Sequence, residues 1–191
     1  MLLNHELRHH KLTLGDYLIL HEQGRFEGCG KIELLDGEIY VMSPQSRRHV
    51  IAKNELGWRI RNVLAETGSQ LSALIEPTVQ IEPGNAPEPD IIVYDPARID
   101  QAGSQYFAAD PIILAIEVSV STLATDLEFK RQLYASAGIK EYWVLDINHQ
   151  IIHQLWSPMS GDYGEKRIIP IGAPIESLTI SGLKIATDGL I

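Results

Sequence analysis

The sequence predicts a single α/β domain in which a mixed central sheet is covered by helices. Three observations carry that expectation. Helical spacing runs from Ser46 to Thr67, the run Ile112–Val118 is apolar on both faces, and a capped helical segment from Ser121 leads into a new strand at Glu141. Between the first two lies a short strand ending at Tyr94, and an earlier strand pattern precedes it. The central order is therefore helix, strand, strand, strand, helix, strand, with residues 46–146 as the core.

Taken in order, residues 1–10 read as a flexible polar tail. Thr13 can cap a helix carrying Tyr17, Leu18 and Leu20 that stops at Gly24. Lys31–Leu35 and Glu38–Met42 flank Asp36-Gly37, a pair suited to a two-residue type I′ turn, which sets Leu34 opposite Ile39, Ile32 opposite Val41 and Glu33 beside Tyr40. His49, Leu56, Ile60 and Val63 mark the inward stripe of the long helix, which ends before Gly68. Leu71–Glu82 has a strand pattern, the segment Pro83–Pro87 is rich in turn residues, and Asp90–Tyr94 forms a short strand. Pro111–Val120 is the strand covered on both sides. Ser121 and Thr122 cap a helix running to Ala137, where Gly138 ends it. Glu141–Asp146 is the last core strand; Asn148-His149 turns the chain into Gln150–Trp156, and short strands follow to the end.

Composition narrows the functional classes. With 191 residues and 21.3 kDa the chain is long enough to bury roughly 70% of its unfolded surface without staples. Cys29 is the only cysteine, so no internal disulfide forms and a reducing cytoplasm is expected. The longest apolar stretch is broken by Glu117, which argues against a membrane span. A net charge of −9 argues against a protein that coats nucleic acid. The predicted helix 46–67 is the exception: Arg47, Arg48, Lys53, Arg59 and Arg61 outnumber Glu55 and Glu66, a local charge of +3.

Two motif matches are set aside. His5-Glu6-Leu7-Arg8-His9 has the spacing of a zinc-binding helix but lies in the tail without a third ligand. Gly24, Gly28, Gly30 and Lys31 suggest a phosphate loop, but Arg25 and Ile32 stand where a glycine and a hydroxyl residue belong.

The stronger signal is a pair of carboxylates in costly places. Glu117 interrupts a doubly covered strand, so its charge requires a cation or a proton. Asp90 heads Ile91-Ile92-Val93-Tyr94 after the Pro87-Glu88-Pro89 lead-in. Acids converging from adjacent strands make an oxygen-only site suited to Mg²⁺ or Mn²⁺; alone, each could instead reach solvent or cap a helix. Lys130, in the following helix, can reach back toward the strand end, or can pair with Asp126 one turn earlier. Glu33 faces away from Ile32 and Leu34 and reads by itself as a solvated edge residue. His49, on the apolar stripe, reads as a hydrogen-bonded core histidine or as a ligand, and Tyr142 and Trp143 as sheet packing.

These residues resemble the Uma-two family within the PD-(D/E)XK nuclease superfamily. The likeness covers residues 11–160. It rests on Ile32-Glu33-Leu34-Leu35-Asp36-Gly37-Glu38, Met42-Ser43-Pro44 with His49, Pro89-Asp90, Glu117-Val118-Ser119 with Ser121-Thr122, Asp126 to Lys130, and Gly138-Ile139-Lys140-Glu141-Tyr142-Trp143. It implies a restriction-endonuclease-like fold as one domain over 1–191, with an N-terminal helix and hairpin and a C-terminal β extension. It also implies a metal-dependent endodeoxyribonuclease. Asp90, Glu117, Glu33 and the Val118 carbonyl would hold Mg²⁺ or Mn²⁺, and Lys130 would stabilise charge. Independently of the resemblance, the basic helix would supply DNA phosphate contacts through Arg47, Arg48, His49 and Lys53, and a homodimer would ease cutting of both strands. The superfamily lysine two residues after the acid is Ser119 here, and Lys130 matches the family's displaced lysine. The same departure suits an inactive module of this fold that binds nucleic acid or protein.

Overall fold

The computed structural model describes residues 9–100, 103 and 106–191, so His5 to Arg8 of the zinc-like match lie outside the described residues. Its first helix, α1 (Leu14–Glu22), has a reciprocal cap: Thr13 Oγ1 accepts from Asp16 N–H, and Asp16 Oδ2 accepts from Thr13 N–H at 2.9 Å. Strands β1 (Ile32–Leu35) and β2 (Glu38–Val41) pair in the expected register. Asp36 and Gly37 both adopt positive φ, 51° and 76°, as the type I′ turn requires. Helix α2 (Arg47–Glu66) begins at Ser46, whose hydroxyl accepts from His49 N–H, and buries Ala52, Leu56, Ile60 and Leu64.

The expected strand Leu71–Glu82 is two elements, β3 (Ser72–Ile75) and β4 (Val79–Gln80). Glu76 takes a φ of 53° and Pro77 has no N–H to donate, so the ladder ends there. Then come β5 (Ile91–Tyr94), β6 (Phe107–Ala108), which pairs with β4, and β7 (Ile112–Ser119). The helix expected over 121–137 has three parts: α3 (Leu123–Thr125), a π turn (Asp126–Lys130) and α4 (Arg131–Ser136). Strand β8 (Glu141–Asp146) is followed by β9 (Ile151–Met159) and β10 (Asp162–Pro170). Strand β9 is the expected Gln150–Trp156 segment carried on to Met159, whereas β10, nine residues long, stands where short strands were expected. The small pair β11 (Ile175–Glu176) and β12 (Lys184–Ile185) closes the chain.

The central sheet has six strands in the order β10-β9-β8-β7-β5-β3. Only β7 and β8 run parallel, as a helical crossover between them demands. One face packs Leu114, Ile116, Val118, Trp143 and Leu145 against α2 and the C-terminal segment. The other packs Ala115, Tyr142 and Val144 against Tyr134 and Ala135 of the composite helix. The pairing of β5 with β7 slips between Val93 and Tyr94, which puts Ile112 on the second face although Leu114, Ile116 and Val118 share the first. That bulge modifies the simple alternation expected for the run. Glu117, next to Ala115 by alternation, is thereby directed toward the composite helix. Among the described residues no helix is long and apolar enough to cross a membrane.

Candidate active site

Three elements deliver the acids. Strand β1 is paired on one edge with β2 and bridged on the other to Ala86, so its four residues are all buried, Glu33 included at 0% exposure. The expectation of a solvated edge residue is therefore corrected. Glu33 Oε1 accepts from Lys130 Nζ at 2.8 Å and from Glu88 N–H at 2.8 Å. The β5–β7 ladder ends at Ile91 opposite Ile116, and the N–H of Val118 beyond it goes to Asp90 Oδ2 at 2.8 Å. Glu117 Oε1 accepts from Lys130 Nζ at 3.0 Å and from Tyr134 Oη at 2.8 Å.

Lys130 is buried between Glu33 and Glu117, not paired with Asp126 on its own helix. The π turn supplies the geometry. Its wider coil sets Asp126 and Lys130 both inward, and the Thr122 hydroxyl donates to Asp126 Oδ2 at 2.6 Å instead of capping the backbone. Glu33, Asp90, Glu117 and Lys130 thus line one open cavity of about 910 Å³.

The acids outnumber the ammonium, and this sets the protonation. Burial pushes the Glu117 carboxyl up to about 8; Lys130 pulls it down, while Asp126, Asp90 and Glu33 push it further up. Burial opposes the Lys130 charge, yet Glu117, Glu33 and Asp126 outweigh it and hold its pKa above the ordinary lysine value. Burial also works to raise Asp90, but the His49 hydrogen bond and the Lys31 charge prevail and lower it. One proton therefore stays in the cluster at neutral pH, on Glu117. Because the unfolded carboxyl titrates near 4.5, stability from this group is full below that pH and is lost as pH rises through about 8. Glu117→Gln, which keeps a neutral acceptor for Lys130 and Tyr134, is expected to flatten this loss. Its unfolding midpoint should gain on the wild type between pH 5.5 and 8.5, and a constant gap across that range would contradict the assignment.

The residues expected to contact DNA are mostly committed elsewhere. His49 Nε2 lies 3.1 Å from Asp90 Oδ2, so it orients an acid rather than facing solvent. Lys53 is buried and bonds Glu76 Oε1 at 2.6 Å and Gln45 Oε1 at 2.7 Å, which corrects its place on a free basic face. Arg48 donates to Ile147 O, Arg59 to Glu55 and two C-terminal carbonyls, and Arg61 to Ala73 O. Arg47 is exposed and makes no ion pair among the described residues. The physical reason is that main-chain carbonyls after β8, within β3 and in the C-terminal segment, together with the Glu76 carboxylate, lie within reach of these side chains.

Sequence reasoning missed Tyr134 and Lys31 as site residues and gave Asp126 only as a helix partner of Lys130. Tyr134 lies four residues after Lys130 and Asp126 four before it, and Lys31 shares the face of Glu33 by strand alternation. It also missed that Glu88, between two prolines, donates its N–H to Glu33 and accepts Lys31 Nζ on its carbonyl at 2.7 Å.

Among the described residues no three His, Cys, Asp or Glu side chains meet as a ready-made metal cage. A divalent ion still fits the donors. Glu33 Oε2 and Asp90 Oδ1 are buried oxygens without a hydrogen-bond partner, and Mg²⁺ keeps several waters and needs only one or two carboxylates.

The mixed α/β sheet thus presents Glu117 on β7 and Asp90 immediately before β5, with Lys130 of the crossover segment turned inward between the acids. The chain belongs to the Uma2 family, described as "Putative restriction endonuclease", whose model matches residues 15–188. Its fold is similar to the crystal structure of a putative nuclease belonging to DUF820 from Anabaena variabilis ATCC 29413. The TM-score is 0.72 at 20% identity, over 94% of this chain and 97% of that one. No curated protein matches.

Proposed function

We propose that this chain is a metal-dependent endonuclease that hydrolyses DNA phosphodiester bonds. The observation that supports it best is one ammonium, Lys130, held between Glu33 and Glu117 in the cavity that Asp90 also lines. Asp90, Glu117, Glu33 and the Val118 carbonyl would hold Mg²⁺ or Mn²⁺. The chemistry such an ion would supply is polarisation of the scissile phosphate and a lowered pKa of bound water. Lys130 has two of its three donors on carboxylates, which leaves one for the attacking water or for charge growing on phosphate oxygen. Glu33 Oε2, which has no hydrogen-bond partner, would complete the metal site or hold a metal-bound water. His49 and Val118 N–H fix the Asp90 carboxylate, and Tyr134 fixes Glu117.

Purified protein is expected to nick supercoiled plasmid in Mg²⁺ or Mn²⁺ and to stop in a chelator. Asp90→Ala and Glu117→Ala should each lower the rate at least about 100-fold. A second reading is favoured by Ser119, which stands where the superfamily keeps its lysine: a nuclease fold that binds nucleic acid or protein without turnover. Calorimetry with Mn²⁺ separates the two, since absent metal binding together with absent nicking would sink the nuclease. Cutting both strands would call for two copies of the site, and light scattering of the DNA complex reads that stoichiometry.

A further inference from the structure

The Gly-rich segment before β1 is not a phosphate loop, but its last residue enters the cleft. Lys31 lies two residues before Glu33 and so projects to the same side of the strand. Its ammonium donates to the Glu88 carbonyl at 2.7 Å and stands 3.9 Å from both Glu76 Oε1 and Asp90 Oδ1. The longer distances exceed a hydrogen bond, so only one of three N–H donors is used in the protein. Facing it, Asp90 Oδ1 is buried with no hydrogen-bond partner. Glu76 does not need Lys31, because Lys53 bonds it at 2.6 Å. An ammonium with spare donors and a carboxylate oxygen without a hydrogen-bond partner thus border the same cavity.

We propose that Lys31 binds substrate phosphate: it donates to a nonbridging oxygen of the DNA backbone seated beside Asp90. The cleft then holds phosphate with two cations, Lys31 on the Asp90 side and Lys130 on the Glu33 and Glu117 side. The Glu88 carbonyl aims the stem of Lys31, so little conformational freedom is lost on contact. This assignment rests on the nuclease reading for the identity of the ligand, and its test is binding, not turnover.

A short fluorescent duplex is titrated with wild type, Lys31→Met, Lys31→Arg and Lys166→Met in Ca²⁺, over a range of salt, following anisotropy. Lys31→Met should bind roughly tenfold more weakly and lower the slope of log affinity against log salt by about one. Lys31→Arg should restore the slope. Lys166→Met, the same change of net charge on exposed β10, should leave both unchanged. Mn²⁺ affinity by calorimetry should not fall in Lys31→Met, since a cation beside Asp90 can only oppose metal. An unchanged slope, with the loss appearing in thermal stability instead, would make Lys31 a counter-ion to Asp90 and overturn the assignment. A wild type that binds no duplex overturns the assignment and the nuclease reading together. Binding with the expected slope difference but no cleavage in Mg²⁺ or Mn²⁺ keeps the Lys31 contact and rejects only the nuclease.

Discussion

Lys130→Met is expected to abolish cleavage and to destabilise the fold by about 3–5 kcal/mol at pH 8. The side chain fits in volume, so the loss is electrostatic. Glu33 and Glu117 Oε1 would each lose an ammonium donor at 2.8 and 3.0 Å, and neither carboxylate has solvent to replace it. The downward pull of Lys130 on the Glu117 carboxyl is also gone, so its folded pKa rises further above the unfolded one and the penalty grows as pH increases. Urea unfolding at pH 5 and pH 8 reads this directly: a loss below about 1 kcal/mol at both would mean the ammonium is not the cluster's counter-ion. Lys130→Arg retains charge but not the point geometry, and should recover stability more fully than rate.

Glu141→Gln should be comparably severe for a different reason. Glu141 begins β8 fully buried, with no ion pair among the described residues, and six donors replace its hydration. Oε1 accepts from Trp143 Nε1 at 2.7 Å and Gln154 Nε2 at 2.6 Å. Oε2 accepts from the Ser177 and Thr179 hydroxyls and from the N–H groups of Leu178 and Thr179. Whichever way a glutamine amide turns, its NH₂ meets donors. The expected cost is roughly 3–5 kcal/mol, or about 10 °C in Tm for a chain of this size. The segment that gives way first should be 177–180, because Glu141 ties it down and Ile180, Leu183 and Ile185 behind it seal one face of the core. Faster amide exchange there, with nicking intact at low temperature, is the expected signature. Uniform exchange throughout would instead point to global loss.

What the sequence made legible was whatever local chemistry decides. The Thr13 cap, the Asp36-Gly37 turn with its register, the Ser46 start of α2 and the Glu141–Asp146 strand all stand where spacing put them. Asp90 and Glu117 were conspicuous because charge in an apolar run needs a partner. The burial of Glu33 was not legible, since it depends on Ala86, distant in the chain, closing the second edge of β1. Lys53 misled because a basic helix looks solvated until Glu76 is folded against it. The π turn and the bulge near Ile113 add or shift one residue within a regular pattern, and periodicity averages over such events.

Glu88 has one further consequence. Its N–H holds Glu33 and its carbonyl holds Lys31, so it organises both walls of the cleft through its main chain while Pro87 and Pro89 stiffen it from either side. An alanine scan would pass over this position, because the truncated residue keeps both groups. Only an edit to the backbone itself, such as Glu88→Pro or an amide-to-ester exchange, would expose the dependence, and a position quiet to side-chain truncation would then prove intolerant of any change in its main chain.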